Sequence, residues 1–338
     1  MILGLTFILI LVLFLPFTVK KVEHNLEVFL FIMGLAASLI SQVLDKSLII
    51  AALEDPIKIT LAVLFAGLLF RWCQNPIEKG ILGLSQMMPI RLFFALVVIV
   101  LGLISSVITA IIAAIVLVVI VSVLRLDRTS EIRLVVLACF SIGLGAALTP
   151  IGEPLSTIAI SKLDEHFFYL FELIGVDVIT AVIIFGILSA IIIKPKQNDE
   201  GLSASLEQES YKEIIIRAAK IYLFVMGLTL LGAGFEPFIE KYLLGLSPLI
   251  LYWINMISAI LDNATLAAAE ISPAMDDMTV KAILLGLMIS GGMLIPGNIP
   301  NIISAGKLNI TSKEWAKFGV PVGLITMLVY FIVIVIFH

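Results

Sequence analysis

Long apolar runs separated by short polar ones govern the chain. Runs near the length of about 20 residues that a helix needs to cross the hydrocarbon core occupy 1–19, 25–44, 57–72, 132–163, 167–193, 213–234, 279–308 and 315–337, and they predict eight crossing helices. Two apolar stretches fall outside this count. The stretch 89–126 is too long for one helix, and 246–272 carries Asp262-Asn263 at its middle. Each is predicted to fold back as a re-entrant hairpin, with tips near Ser105 to Ala110 and Ser258 to Thr265. Polar, non-helical backbone at membrane depth is tolerated only where protein or a water-filled cavity surrounds it, so a hairpin tip belongs to a site and not to the lipid face.

Two of the crossings are interrupted. In 132–163 the run Gly143-Leu144-Gly145-Ala146-Ala147-Leu148-Thr149-Pro150-Ile151-Gly152-Glu153-Pro154, and in 279–308 the run Ser290-Gly291-Gly292-Met293-Leu294-Ile295-Pro296-Gly297-Asn298-Ile299-Pro300-Asn301, place glycines and prolines inside apolar sequence. Each proline removes an N–H and disturbs the preceding turn, freeing carbonyl oxygens that need another partner. The two runs correspond at a constant offset of 145, Gly152-Glu153 with Gly297-Asn298 and Lys162-Leu163 with Lys307-Leu308. The hairpin tips correspond as well, Ser105-Ser106-Val107-Ile108-Thr109 with Ser258-Ala259-Ile260-Leu261-Asp262.

The order crossing, hairpin, broken helix, crossing therefore occurs twice. It divides the chain into a first half, 1–193, with extra N-terminal helices, a polar linker, 194–212, and a second half, 213–338. A unit with three crossings enters the membrane from opposite faces in its two copies. The predicted fold is thus an all-α integral membrane protein with an inverted repeat, about eight transmembrane helices, two hairpins and two broken helices, an arrangement that places a transporter's binding site at matched interruptions.

Composition and charge sharpen this picture. With 61% hydrophobic and 14% charged residues, the chain holds more apolar surface than a soluble fold can bury, so a lipid bilayer is its expected partner. A net charge of -4 without a basic stripe offers nothing to a nucleic acid. Under the eight-crossing scheme, 16 of the 21 basic residues fall on one side and 5 on the other. The positive-inside rule then makes the first side cytoplasmic and puts both termini outside, in a plasma-membrane protein. Met1 to Val19 lacks a basic start and a small-residue cleavage site, and reads as a retained first helix. Cys73 and Cys139 read as free thiols, and His24, His166 and His338 form no metal-like or catalytic spacing with them. Neither an enzyme nor a bound cofactor is expected.

Glu153 and Asp262 each stand near the midpoint of a long apolar run, one in each half, with no Lys or Arg at mid-depth in the same segment. An ionisable group there is kept for a cation, a proton or a basic partner. Amides of Asn263, Asn298 and Asn301, and hydroxyls of Ser105, Ser106, Thr109, Thr149, Ser156, Thr157, Ser258 and Thr265, supply hard oxygen donors suited to Na⁺ or H⁺. Glu54-Asp55 and Asp276-Asp277 read as boundary charges, Lys162 and Lys307 as snorkelling ends of the broken helices, and Trp72, Trp253 and Trp315 as anchors or packing.

The succession Ser258-Ala259-Ile260-Leu261-Asp262-Asn263, then Gly291-Gly292-Met293-Leu294-Ile295-Pro296-Gly297-Asn298-Ile299-Pro300-Asn301, resembles the ion transporter superfamily, which includes NhaD-type sodium/proton antiporters, arsenite pumps and dicarboxylate carriers. More narrowly it resembles a compact, little-characterised family of cation transporters within it. The resemblance implies a homodimer in which the hairpins and broken helices move as an elevator against a scaffold. It places ion sites at Ser105, Ser106 and Thr109 with Thr149, Gly152 and Glu153, and at Asp262, Asn263 and Thr265 with Asn298 and Asn301. Na⁺ is expected at Asp262, Asn263 and Asn298, with Ser105, Ser106 and Ser258 gating at the tips. The first tip has Thr109-Ala110 where the second has Asp262-Asn263, and the Ser-Asn-Thr pattern of the anion carriers is absent. The function expected is secondary transport of a small monovalent cation, Na⁺ against H⁺; the alternative is a Na⁺-coupled symporter of a small anion such as a dicarboxylate.

Overall fold

The computed structural model describes residues 1–23, 25–194, 210–242, 246–261, 263–271 and 275–337. Every regular element among them is helical, in the order α1 (Ile2–Thr18), α2 (Lys20–Glu23), α3 (Leu26–Ser41), α4 (Lys46–Gln86), α5 (Ile90–Ile108), α6 (Ala110–Leu124), α7 (Arg128–Ala146), α8 (Pro154–Leu163), α9 (Tyr169–Ile192), α10 (Tyr211–Tyr242), α11 (Pro248–Ile254), α12 (Asn263–Glu270), α13 (Asp277–Gly291), α14 (Ile299–Leu308) and α15 (Ser312–Phe337). Short 3₁₀ turns cover Asn255–Ala259 and Ile295–Gly297. Among the described residues five segments are long and apolar enough to cross a membrane: Ile90–Ile108, Arg128–Ala146, Tyr169–Ile192, Tyr211–Phe238 and Ser312–Ile336. The chain is an all-α membrane protein.

One expected boundary moves substantially. The apolar run 57–72 is only the middle of α4, a helix of 41 residues that continues through Pro56 and Pro76. At 1.5 Å per residue it is about 60 Å long, so the charges around the apolar run mark a change of solvation and not a helix end. Most of the predicted linker, 195–209, lies outside the described residues, and α10 begins just after it.

Small residues set the closest helix contacts, as expected where lipid gives no hydrophobic drive for association. Helix α3 lies on α10 with Gly34 against Gly227 and Leu230, while Ser38 Oγ donates to Leu230 O at 2.8 Å. Helix α5 lies on α7 so closely that a Cβ at Gly145 would stand 1.8 Å from the Gly102 carbonyl oxygen. Ser141 Oγ donates to Val98 O at 2.9 Å across the same contact. The two halves interlock through their hairpins, α6 packing on α14 and α12 on α8.

Two sets of polar ties show how the broken helices run. At one end of the bundle Arg128, at the start of α7, donates to Leu308 O (3.0 Å) and Asn309 O (2.7 Å) beyond α14 and pairs with Glu314 near the start of α15 at 2.8 Å. At the other end Tyr169, at the start of α9, donates to Asp277 at 2.7 Å, and Lys281 on α13 pairs with Asp177 on α9 at 2.7 Å. The α7–α8 and α13–α14 pairs therefore run in opposite directions. Asp276 caps α13, accepting from Thr279 N at 2.9 Å, and these hydrogen bonds from Thr279 hold its carboxyl below the usual aspartate value.

Candidate functional site

The two breaks have matching geometry. Helices α8 and α14 each contain ten residues, carry a proline in the first turn, and end on a left-handed residue, Asp164 (φ 55°) and Asn309 (φ 51°). Their N-cap residues, Glu153 (φ -156°, ψ 160°) and Asn298 (φ -154°, ψ 147°), share one extended conformation, and neither side chain caps its helix. A proline in the first turn needs no N–H there and favours a helix start, so both helices begin where the sequence interrupts them. Glu153 is 6% and Asn298 4% exposed.

Each break receives the hairpin tip of its own half. In the first, Ala110 N donates to Gly152 O at 2.9 Å and the Thr149 hydroxyl donates to Ser106 O, clamping Thr109 and Ala110 onto the turn 147–153. Ser105 Oγ donates to Gly102 O (2.6 Å) and Ile142 O (3.0 Å), and Ser106 Oγ to Leu103 O (2.7 Å). The hydroxyl protons of Ser105 and Ser106 are thus committed to helix carbonyls, leaving oxygen lone pairs on these two residues. In the second, a Cβ at Gly297 would meet Ser258 O at 2.7 Å and Gly291 O at 2.5 Å, so hairpin and break touch backbone to backbone. Ser258 Oγ donates to Leu287 O at 3.0 Å.

The breaks also meet each other. A Cβ at Gly143 would lie 2.4 Å from Asn298 Nδ2, and one at Gly292 the same distance from the Phe140 ring. Asn298 of the second half therefore rests on α7 of the first. Asn301 closes the second break from within, donating through Nδ2 to Gly291 O and Leu294 O at 2.8 Å each, with no partner for its buried Oδ1 among the described residues. Trp315, expected as an anchor or packing residue, is fully buried and donates to Gly292 O at 3.1 Å, sealing that break.

Of the other predicted residues, Asn263 starts α12, 4% exposed, with no partner for its Nδ2 among the described residues. Asp262 and the side chain of Thr265 lie outside the described residues. Thr157 Oγ1 donates to Pro150 O at 2.7 Å, and Ser156 is buried beside the first break with no partner for its hydroxyl among the described residues. Cys139 is a buried free thiol, 3.5 Å from Ser304 Oγ. Among the described residues no three His, Cys, Asp or Glu side chains converge on one point. The donors present are carbonyls, amides, hydroxyls and single carboxylates, a set that fits a hard monovalent cation better than a transition metal.

The whole chain, residues 2–337, matches a family model described as protein of unknown function (DUF1646). The chain belongs to the DUF1646 family. No curated protein matches it. In this DUF1646 chain a cavity of about 550 Å³ opens beside the second break, between α3, α10 and α14, lined by Glu27, Lys220, Phe224, Ile295 and Ile302. Glu27 and Lys220 form an ion pair of 2.9 Å within it. A narrow continuation shares Leu26, Ile295 and Ser312 and reaches Ile260 at the second hairpin tip and Pro296 in the break.

Sequence reasoning passed over Glu27, Lys220, Asn255 and Glu270. Glu270 closes an apolar run, where solvated charge is ordinary, and the signal that marks it is the unbroken apolar sequence Leu266 to Ala269 before it and Ile271 after it.

Thr109 deserves a test of its own, because it adopts φ 79° between α5 and α6, a region that costs a β-branched residue about 1–3 kcal/mol. Its Oγ1 accepts from Ile112 N at 3.4 Å. Thr109→Gly is expected to raise thermal stability in detergent by about 1 kcal/mol, since glycine removes the strain and is a tolerated N-cap. Thr109→Ala keeps the strain, loses the cap, and is expected to lower stability by about 1 kcal/mol.

Proposed function

We propose that this protein is a secondary transporter of a small monovalent cation, exchanging Na⁺ for H⁺, with its ions bound where the two helix breaks and two hairpin tips meet. The observation that carries this reading is the matched pair of buried N-cap residues, Glu153 and Asn298, 145 residues apart, set on oppositely directed broken helices and each beside a hairpin tip. Helix breaks, freed carbonyls and a buried carboxylate are the means by which transporters hold a dehydrated cation at mid-membrane. We read the two halves as an inverted repeat of the ion transporter superfamily type.

In this reading Asp262 and Glu153 alternate between proton and cation, and competition for the same carboxylates couples the two fluxes. The hairpins and broken helices form the moving body, and the α3–α10 pair, held through Gly34, Gly227 and Ser38, belongs to the scaffold of a homodimer. The cavity beside Ile295 lies at the end of the bundle where α14 finishes in Lys307 and α15 begins with Lys313 and Lys317, the side the positive-inside rule makes cytoplasmic. It serves as the inward vestibule, with Glu27 and Lys220 in its wall.

The deciding experiment is flux in proteoliposomes with a panel of cations and anions across an imposed pH gradient. Na⁺-driven proton movement that Asp262→Asn abolishes supports antiport, and unchanged movement in Asp262→Asn removes Asp262 from the site. Na⁺-dependent uptake of a labelled dicarboxylate without proton counterflow replaces antiport with anion symport.

A further inference from the structure

The second hairpin encloses a carboxylate that the two breaks do not use. Glu270, in the last turn of α12, and Asn255, in the 3₁₀ turn of the opposite arm, are both 0% exposed. Asn255 Nδ2 donates to Glu270 Oε2 at 2.9 Å. The remaining oxygen of each side chain, Glu270 Oε1 and Asn255 Oδ1, is buried and has no hydrogen-bond partner among the described residues. The amide is held in place, because its own backbone oxygen accepts from Ser290 Oγ at 2.6 Å.

Among the described residues nothing neutralises this carboxylate. Helices α8, α10 and α13 pack on α12. Those helices carry Glu153 and Lys162, Glu236 and Lys241, and Asp277 and Lys281, and among the described residues the hydrogen-bond partner of Glu270 is Asn255. Lys281 is engaged with Asp177, Asp277 with Tyr169, and the Tyr252 hydroxyl on the first arm with Met327 O. An ionised carboxylate buried without a cation costs several kcal/mol, and two buried acceptors left without donors add to that cost. One proton resolves all of it. Placed on Glu270 Oε1, it removes the charge and supplies the missing donor, for which Asn255 Oδ1 is the free acceptor of the amide already bonded to the same carboxyl.

We propose that Glu270 and Asn255 form a proton-binding site inside the second hairpin, a closed acid–amide pair in which Glu270 donates from Oε1 to Asn255 Oδ1 while Asn255 Nδ2 donates to Oε2. The site takes its proton from water and returns it to water when the hairpin arms part, leaving the carboxylate hydrated. Resting on the transport reading above, this is a further proton of the exchange cycle, held outside the cation site.

Infrared difference spectra of the full-length protein in lipid, recorded between about pH 5 and pH 9, test the site directly. Wild type is expected to show the carbonyl band of a buried protonated carboxyl that titrates away on alkalinisation; Glu270→Gln removes that band and Glu270→Asp shifts it. Stability gives a second measure. A carboxyl that binds its proton more tightly in the folded state contributes stability that is complete at low pH and lost as pH rises. Wild type should therefore lose thermal stability relative to Glu270→Gln on alkalinisation, because the glutamine amide reproduces the closed pair at every pH. A wild-type carboxyl band indifferent to Glu270→Gln overturns the proposal. So does stabilisation by Na⁺ that requires Glu270, which would make the pair a cation site. If the band behaves as expected while no ion flux is found in wild type, the proton site stands and the transport reading falls.

Discussion

Gly145→Ala is expected to leave little folded protein. The new Cβ would lie 1.8 Å from the Gly102 carbonyl oxygen and 2.6 Å from its carbon, both backbone atoms of α5 that no rotamer change can move. Helix α5 would have to retreat from α7, breaking the Ser141–Val98 and Ser105–Ile142 hydrogen bonds that cross the same contact and drawing the first tip away from its break. Overpacking against rigid backbone costs about 3 kcal/mol or more, a large share of a domain's net stability. Thermal unfolding in detergent and the yield of monodisperse protein measure it. Gly80→Ala is the control: beyond its own helix turn, no atom of the described residues lies within 4 Å of a Cβ there, on helix α4, and the exchange is expected to be neutral or to stabilise by roughly 0.5–1 kcal/mol. Equal loss in both variants would show that the α5–α7 contact is looser than described.

Glu153→Gln is expected to separate function from folding. The side chain is 6% exposed and does not cap α8, so an isosteric amide should leave elution and thermal stability close to wild type. It removes the negative charge that, on the transport reading, compensates a bound cation, and cation-driven proton flux should fall by about a hundredfold, the order expected when a buried charge loses its counter-ion. Retained flux with an unaltered pH profile would remove Glu153 from the ion path. Gln is also the right comparison between the two breaks, since the N-cap of the second, Asn298, is already a neutral amide.

Much of the architecture was legible without coordinates. Of the five crossing-length segments among the described residues, four fall in runs expected to cross, because a bilayer requires about 20 residues per crossing, and the fifth, Ile90–Ile108, falls in the stretch expected to be a re-entrant hairpin. The helix breaks were legible because proline and glycine act locally on the backbone. The predicted interruptions fall at 147–153 and 292–298, the tip of the first hairpin falls at Thr109, and the offset of 145 reappears as paired ten-residue helices with the same caps. The extent of α4 was not legible, since hydropathy reports solvation and a helix can continue past the apolar stretch it contains.

Candidate residues divide in the same way. Sequence by itself determined the all-α membrane class, the positions of both breaks and the polar residues beside them, all consequences of composition and of one residue's effect on its own turn. Only the tertiary structure decided which of those polar groups are already spent, as in Asn301 bridging Gly291 and Leu294 or Ser105 bridging Gly102 and Ile142. It alone set Asn298 against Gly143, put Trp315 on the second break, and buried Glu270 with Asn255 across the hairpin. The physical reason is that a hydrogen bond's partner and a carboxylate's burial depend on which segments pack together, and contacts between residues far apart in the chain leave no local mark in the sequence.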